Sequence, residues 1–134
     1  MNEFHLRIVT PDGCFFDGAA ESIKVRTIDG DVSIRARHMN YVTALGMGMA
    51  ELTVAGNERH AACMGGMLSA LDGEVSLAAT TFEWADEIDY DRSKKAEERA
   101  REILERKELS DTEYKLAQAR LRRALIRQQV SRIG

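Results

Sequence analysis

Proline is almost missing from this sequence: Pro11 is the only one in 134 residues. Cysteine is scarce too, with Cys14 and Cys63 standing 49 positions apart. That spacing fits neither a zinc site nor a CxxC redox pair, and it reads as two reduced thiols in a cytosolic protein. Both thiols have an apolar neighbour, Phe15 or Met64, which predicts that both are buried. No apolar run approaches the roughly 20 residues that a membrane-spanning helix needs. The first residues, Met1 to Arg7, lack the basic segment and long apolar stretch of a signal peptide. Aromatic residues are only 6% of the chain and the net charge is −3. None of these aromatics is interleaved with the C-terminal arginines, so nucleic acid is a poor candidate partner. The histidines, His5, His38 and His60, are scattered and share no metal-ligand spacing. Neither a GxSxG nor a Cys–His signature supports nucleophilic catalysis, and Gly65-Gly66 is not followed by the Lys-Ser/Thr of a phosphate loop.

Glycine is lacking in one region only, and that divides the chain. Nine of the ten glycines lie at or before Gly73, so residues 74–133 contain neither Gly nor Pro. Residues 1–85 hold 11 acidic and 6 basic residues, a net of −5, whereas residues 86–134 hold 11 and 13, a net of +2. The sequence therefore predicts two parts, a β domain over 1–85 and a helical domain over 86–134.

In the first part, apolar residues alternate with period two. Phe4, Leu6 and Ile8 share one strand face, with His5 on the opposite, surface or interface, side. The same pattern marks Ile23, Val25 and Thr27, then Val32 and Ile34, Leu52 and Val54, and Val75, Leu77 and Ala79. Asp12-Gly13, Asp29-Gly30, Gly56-Asn57, Gly65-Gly66 and Asp72-Gly73 fall between runs as tight turns. Many short strands with frequent turns predict a small antiparallel sandwich or barrel. The absence of strand–helix–strand alternation argues against a parallel α/β sheet.

The second part reads as two helices. Ala96, Ala100, Ile103 and Leu104 form one stripe, with Ile88 two turns earlier, and Tyr114, Ala117, Leu121, Ala124 and Leu125 form another. Ser110-Asp111-Thr112-Glu113 has the form of a capping box. A first helix ending near Lys107 and a second starting at Ser110 predict an antiparallel hairpin. Alanine stripes bury little apolar area, so the hairpin is held weakly and is a candidate moving part. After Glu113 there is no acidic residue, and Lys115, Arg120, Arg122, Arg123, Arg127 and Arg132 follow. Arg120, Arg123 and Arg127 share one helix side, as do Asp89, Arg92, Ser93 and Arg99 on the first helix. Such a basic face is either solvated or a site for an anion or an acidic protein.

Thr10-Pro11-Asp12-Gly13 with Phe16-Asp17-Gly18, Val25-Arg26-Thr27 with Asp29-Gly30-Asp31, Gly65-Gly66-Met67-Leu68 and Val75–Thr80 occur in an order that resembles the ε subunit of bacterial rotary ATP synthases. Ile88-Asp89-Tyr90-Asp91-Arg92-Ser93, then Ala96 and Glu98-Arg99-Ala100, extends the likeness across nearly the whole chain. One stretch departs from it. Residues Ser33–Tyr41 keep His38 but lack the two prolines and the glycine of the family's Pro-Gly-His-Ala-Pro-like loop, which implies a more mobile segment.

The resemblance implies a non-catalytic rotor subunit of the F-type complex, peripheral on the cytoplasmic face of the cell membrane. Its sandwich is expected to bind the γ subunit and the c-ring, with Asp31 and His38 at matching contact positions. Its hairpin is expected to inhibit ATP hydrolysis when extended against α and β subunits, through the basic face Arg120, Arg122, Arg123 and Arg127. No cofactor is required. ATP, with or without Mg²⁺, is the regulatory ligand that some family members bind, and Ile88, Asp89, Arg92 and Ser93 occupy that motif here, Ser93 in place of Ala. Glu83, Arg99, Arg123 and Arg127 match the remaining ligand positions. Guanidiniums suit a triphosphate through charge-assisted hydrogen bonds. The rival readings are a stand-alone β domain with a helical-hairpin adaptor, a small enzyme using His38 and Asp31, and a nucleic-acid binder acting through the basic tail.

Overall fold

The computed structural model describes residues 2–133. They form two compact units, one reaching to Trp84 and the other starting at Ala85.

The first unit holds seven strands: β1 (Phe4–Thr10), β2 (Gly13–Ala20), β3 (Ser22–Thr27), β4 (Gly30–Arg35), β5 (Tyr41–Val54), β6 (Asn57–Leu71) and β7 (Glu74–Trp84). They make one sheet in the order β2-β1-β7-β6-β5-β3-β4. The sheet folds over itself, since β2 also touches β5, four places away in that order. Inside lies a core of Phe4, Leu6, Ile8, Ile23, Val25, Leu52, Leu68, Val75, Leu77, Phe82 and Trp84. Each fully buried Leu, Ile or Val contributes about 1.5–3 kcal/mol relative to exposure. Phe82 anchors one end, edge-on to Phe15 at 5.7 Å and to Trp84 at 5.0 Å between ring centroids.

The alternation read from the sequence matches burial in β1, β3 and β7: Phe4, Leu6 and Ile8 are buried while His5 and Arg7 are exposed. Three expectations are corrected. The β1–β7 pair is parallel, whereas the other pairs are antiparallel. These are the first and last strands of the unit, so no short hairpin dictates their direction. Cys14 is exposed rather than buried, because it sits on edge strand β2; Cys63 is buried, and desolvation pushes its thiol up to about 12. Gly65-Gly66 is not a turn but lies inside β6.

That glycine pair governs how the sheet bends. Before it, the buried residues of β6 include Ala61 and Cys63, and after it Leu68 and Ala70, so the inward set changes from odd to even. β5 switches between Leu45 and Ala50, and β7 between Ala79 and Phe82. The pairing skips Gly65 on both sides, with unchanged register before and after it. Gly65 and Gly66 have φ of 73° and 115°. A Cβ on Gly66 would stand 2.1 Å from the Ala78 carbonyl oxygen. A residue carrying a Cβ cannot fit there, and the long strands turn through this row because glycine allows it. The turns at Ala55-Gly56 and Asp72-Gly73 have positive φ at both positions, as type I′ hairpins require.

The second unit has a short 3₁₀ turn (Ala85–Glu87), α1 (Tyr90–Leu104) and α2 (Asp111–Ile133), with α1 packed on α2. The capping box forms: the Glu113 amide donates to Ser110 Oγ at 3.1 Å, and the Ser110 amide to Glu113 Oε1 at 3.3 Å. The stripes differ in part from the expected ones. Ser93, Glu97 and Ala100 are buried on α1, and Ala117, Ala124, Gln128 and Val130 on α2, while Tyr114 and Leu125 stay exposed. A pattern of apolar residues cannot find Glu97 or Gln128, because what buries them is the hydrogen bond between them.

Gly66→Ala should lower the urea midpoint far more than Gly73→Ala, whose Cβ meets nothing within 4 Å. The hairpin substitution costs the left-handed strain alone, about 1–2 kcal/mol. The strand substitution adds a backbone clash, for a total of about 4 kcal/mol or more. Equal midpoints for the two variants contradict the bend described above.

Candidate functional site

In the helical unit, Asp89 is the N-cap of α1. Its φ and ψ are −82° and 101°, and its carboxylate accepts from the Arg92 amide at 3.1 Å. Ile88 is buried just before it. The Ser93 hydroxyl is buried and donates to the Tyr90 carbonyl at 2.7 Å, so it is satisfied within its own turn. Arg92 and Arg99 are exposed and a heptad apart, which puts them on one side of α1 at about 100° per residue.

On α2, Arg120 is exposed and Arg123 and Arg127 are half-buried, again along one side. Arg122 is exposed but points about 140–160° away from Arg120 and Arg127, by the same helical rotation. The four arginines of the expected basic face are therefore three on one side and one on another.

Two contacts fix how the helices face each other. Gln128 Nε2 donates to Glu97 Oε1 at 2.8 Å, and Arg132 Nη2 donates to Tyr90 Oη at 2.9 Å with its guanidinium 5.5 Å from the ring centre. The Arg132–Tyr90 contact lies clockwise of the Glu97–Gln128 line on each helix, seen from that helix's N-terminus. Arg92 and Arg99 lie counter-clockwise on α1, and Arg120, Arg123 and Arg127 counter-clockwise on α2. In an antiparallel pair these two flanks coincide, but Arg92 and Arg99 are turned about 140–160° from the Glu97 line, so α1 carries its arginines largely on its outer side while Arg120 and Arg127 flank the seam on α2. The register about Glu97–Gln128 sets Arg99 level with Ile126, one position from Arg127. A row of guanidiniums along one helix side favours an anion beside it.

The remaining expected residues belong to the β unit. Glu83 is the penultimate residue of β7 and pairs with Ala62. Asp31 is exposed near the start of β4, 3.5 Å from Arg26 Nη1. His38 follows the end of β4; its Nδ1 donates to the Met39 carbonyl at 3.2 Å, and its ring is edge-on to Phe4 at 6.0 Å. Its Nε2 is buried and finds no hydrogen-bond partner among the described residues. Asp31 and His38 stand at opposite ends of β4 and are not one site, which removes the small-enzyme reading built on that pair. In the loop that lacks the prolines, Arg37 adopts φ 63° and Met39 is 87% exposed.

Sequence reasoning missed a cluster at His5. Its Nε2 meets Asp17 of β2 and its Nδ1 meets Glu74 of β7, so one exposed imidazole bridges both neighbouring strands. The signal lay in the pairing, since Glu74 faces His5 across the parallel ladder. Among the described residues no group of His, Cys, Asp or Glu is placed to hold a metal ion, and no helix is long and apolar enough to cross a membrane.

The hydrogen bonds from His5 to Asp17 and then Glu74 raise its pKa above the ordinary 6.5. The stabilisation it gives is present below pH 6.5 and fades as pH climbs through the raised value. An NMR titration should place His5 above 6.5 and bring it back toward 6.5 when Asp17→Asn and Glu74→Gln are combined. A wild-type midpoint at or below 6.5 contradicts the bridge.

Comparison with known proteins gives a consistent likeness. The profile of the ATP synthase Delta/Epsilon chain β-sandwich domain matches residues 3–85, and that of the Delta/Epsilon chain long α-helix domain matches residues 86–132. The ATP synthase epsilon chain of Caldicellulosiruptor bescii is 39% identical over 95% of this chain and 92% of its own length. That of Shouchella clausii is 33% identical over 98% and 97%. Among solved structures, a chain of the Euglena gracilis mitochondrial ATP synthase (OSCP/F1/c-ring) aligns with a TM-score of 0.82 at 20% identity, over 98% of this chain and 82% of that one. A chain of the Tetrahymena thermophila mitochondrial ATP synthase central stalk/c-ring aligns at 0.69 and 14%, over 95% of each. At these identities the structural likeness is one of fold.

Proposed function

The chain belongs to the ATP synthase delta/epsilon-chain family, and on that footing we propose that it works as the non-catalytic epsilon subunit in the central stalk of an F-type ATP synthase. The observation that carries this reading is the pair of family matches, which run end to end across both units, 3–85 and 86–132. Its partners are the γ subunit and the c-ring, engaged through the β unit, in keeping with the central-stalk and c-ring assemblies that hold its structural neighbours. It sits peripherally on the cytoplasmic face of the cell membrane, reaching the membrane through the complex alone. Coupling rotation to synthesis asks for a stiff body at the stalk. A seven-stranded sheet with a continuous apolar core suits that role.

The helical unit is the regulatory part. Extended, it meets α and β subunits and restrains ATP hydrolysis through its arginines. Folded, its arginine side takes ATP, with Arg92, Arg99, Arg123 and Arg127 toward the phosphates and Asp89, Ile88 and Ser93 shaping the α1 end. Support for this comes from the arginine row on each helix, Arg92 with Arg99 on α1 and Arg120, Arg123 and Arg127 on α2, and from Asp89 capping the start of α1. Binding to the folded form shifts the population away from the inhibitory one.

Two experiments test the reading. Co-expression with the γ subunit of the same complex should yield a stable γ-containing complex on affinity purification, and failure to retain γ favours a stand-alone adaptor. ATP–Mg²⁺ titration of the chain should raise its thermal midpoint, ligand at 100 times its dissociation constant adding about 2.7 kcal/mol. Arg92→Ala and Arg99→Ala should abolish that shift. A wild-type midpoint indifferent to millimolar ATP removes the nucleotide site and leaves the stalk role standing.

A further inference from the structure

Among the described residues, Glu97 is the one charged side chain that is buried, at 8% exposure. It faces three donors. Arg101 Nε lies 2.8 Å from Oε2 and Lys94 Nζ 3.4 Å from Oε1, both on α1, one turn to either side. The third, Gln128 Nε2, lies 2.8 Å from Oε1 and comes from α2. Of the α2 side chains a turn away from Gln128, Ala124 carries no charge and Arg132 is committed to Tyr90. The carboxylate therefore takes its compensating charge from its own helix and one neutral hydrogen bond from the other.

We propose that the Glu97–Gln128 hydrogen bond is the latch that holds the helical hairpin closed and sets its register, built to be released without stranding a charge. The proposal rests on the regulatory reading of the helical unit only for its consequence in the complex. The physical case is a comparison of what is lost when the helices part. Around the latch the fully covered stripe positions are Ser93, Ala100, Ala117 and Ala124, and the larger Leu104 and Leu121 are only half-buried, so the seam covers limited apolar surface. Glu97 keeps Arg101 and Lys94 in either state, and the Gln128 amide is hydrated once exposed. An ion pair between helices would break at a higher cost, because both charges would lose their partner. A purely apolar seam would close without fixing one register, whereas a single buried polar contact selects one.

The donors also hold Glu97 ionised. The Gln128 hydrogen bond first, and that from Arg101 second, bring its pKa down to about 2. What it contributes is present above the ordinary 4.5 and is lost only as pH falls toward 2, so the latch is insensitive to pH near neutrality.

Hydrogen exchange on the full chain reads the latch directly, without added labels. Gln128→Ala should speed exchange in α1 and α2 about tenfold, the loss of one hydrogen bond to a charged group, and leave the β unit unchanged. Gln128→Glu sets two carboxylates together and should open the hairpin further. Combining it with Glu97→Gln restores a donor–acceptor pair of reversed polarity and should bring exchange back toward wild type, which a merely volume-filling role would not produce. Unchanged exchange in Gln128→Ala, or a double variant as open as Gln128→Glu, overturns the latch. The same variants in the assembled complex separate the two proposals. Altered exchange with unaltered inhibition of ATP hydrolysis keeps the latch and overturns the regulatory reading.

Discussion

The β unit is organised around a position where no side chain can stand. At Gly66 the backbones of β6 and β7 approach so closely that a methyl group would overlap the Ala78 carbonyl. Three long strands change their inward face in this row, which lets one hydrogen-bonded sheet supply both walls of its own core. Without the bend, the residues beyond it would keep their original parity and turn Phe82 and Leu52 outward. The core therefore depends on a missing Cβ as much as on the apolar side chains it encloses.

The helical unit is held by different forces. Its fully buried seam positions are mostly Ala and Ser, with Leu104 and Leu121 half-buried, and its most specific contact is a hydrogen bond between two polar side chains. Apolar burial there is smaller than in the β core, so the pairing of the helices draws less on it. The capping box at Ser110 and the N-cap at Asp89 stabilise each helix individually, through contacts that survive if the helices part. Local order is thus secured separately from the pairing of the helices.

Much of this could be read from the sequence, and the omissions have physical causes. β1, β3 and β7 are legible because one face is buried and the period of two is clean. β2 is not, since an edge strand carrying Gly-Cys-Phe-Phe-Asp-Gly shows no clear alternation. β6 is hidden by its own bend: the parity change at Gly65-Gly66 cancels the alternation on either side, and glycines in an apolar stretch resemble a turn. In the hairpin, Ala100, Ala117 and Ala124 were identifiable, whereas Glu97 and Gln128 were not, because their burial depends on a partner 31 residues away. The arginines were legible one helix at a time. His5 was opaque because its partners come from two other strands, a pairing that a single strand does not encode.

The charge distribution follows the same division. In the β unit, His5 joins carboxylates from two strands and Arg26 pairs with Asp31, so charge there ties neighbouring strands together. In the hairpin, Gln128 donates to Glu97 and Arg132 to Tyr90 across the helices, and neither contact is an ion pair. The arginines run along the helices instead, Arg92 and Arg99 on one side of α1 and Arg120, Arg123 and Arg127 on one side of α2. On the proposed regulatory reading, a negatively charged ligand would act on the hairpin alone, and the stiff β unit would keep its shape.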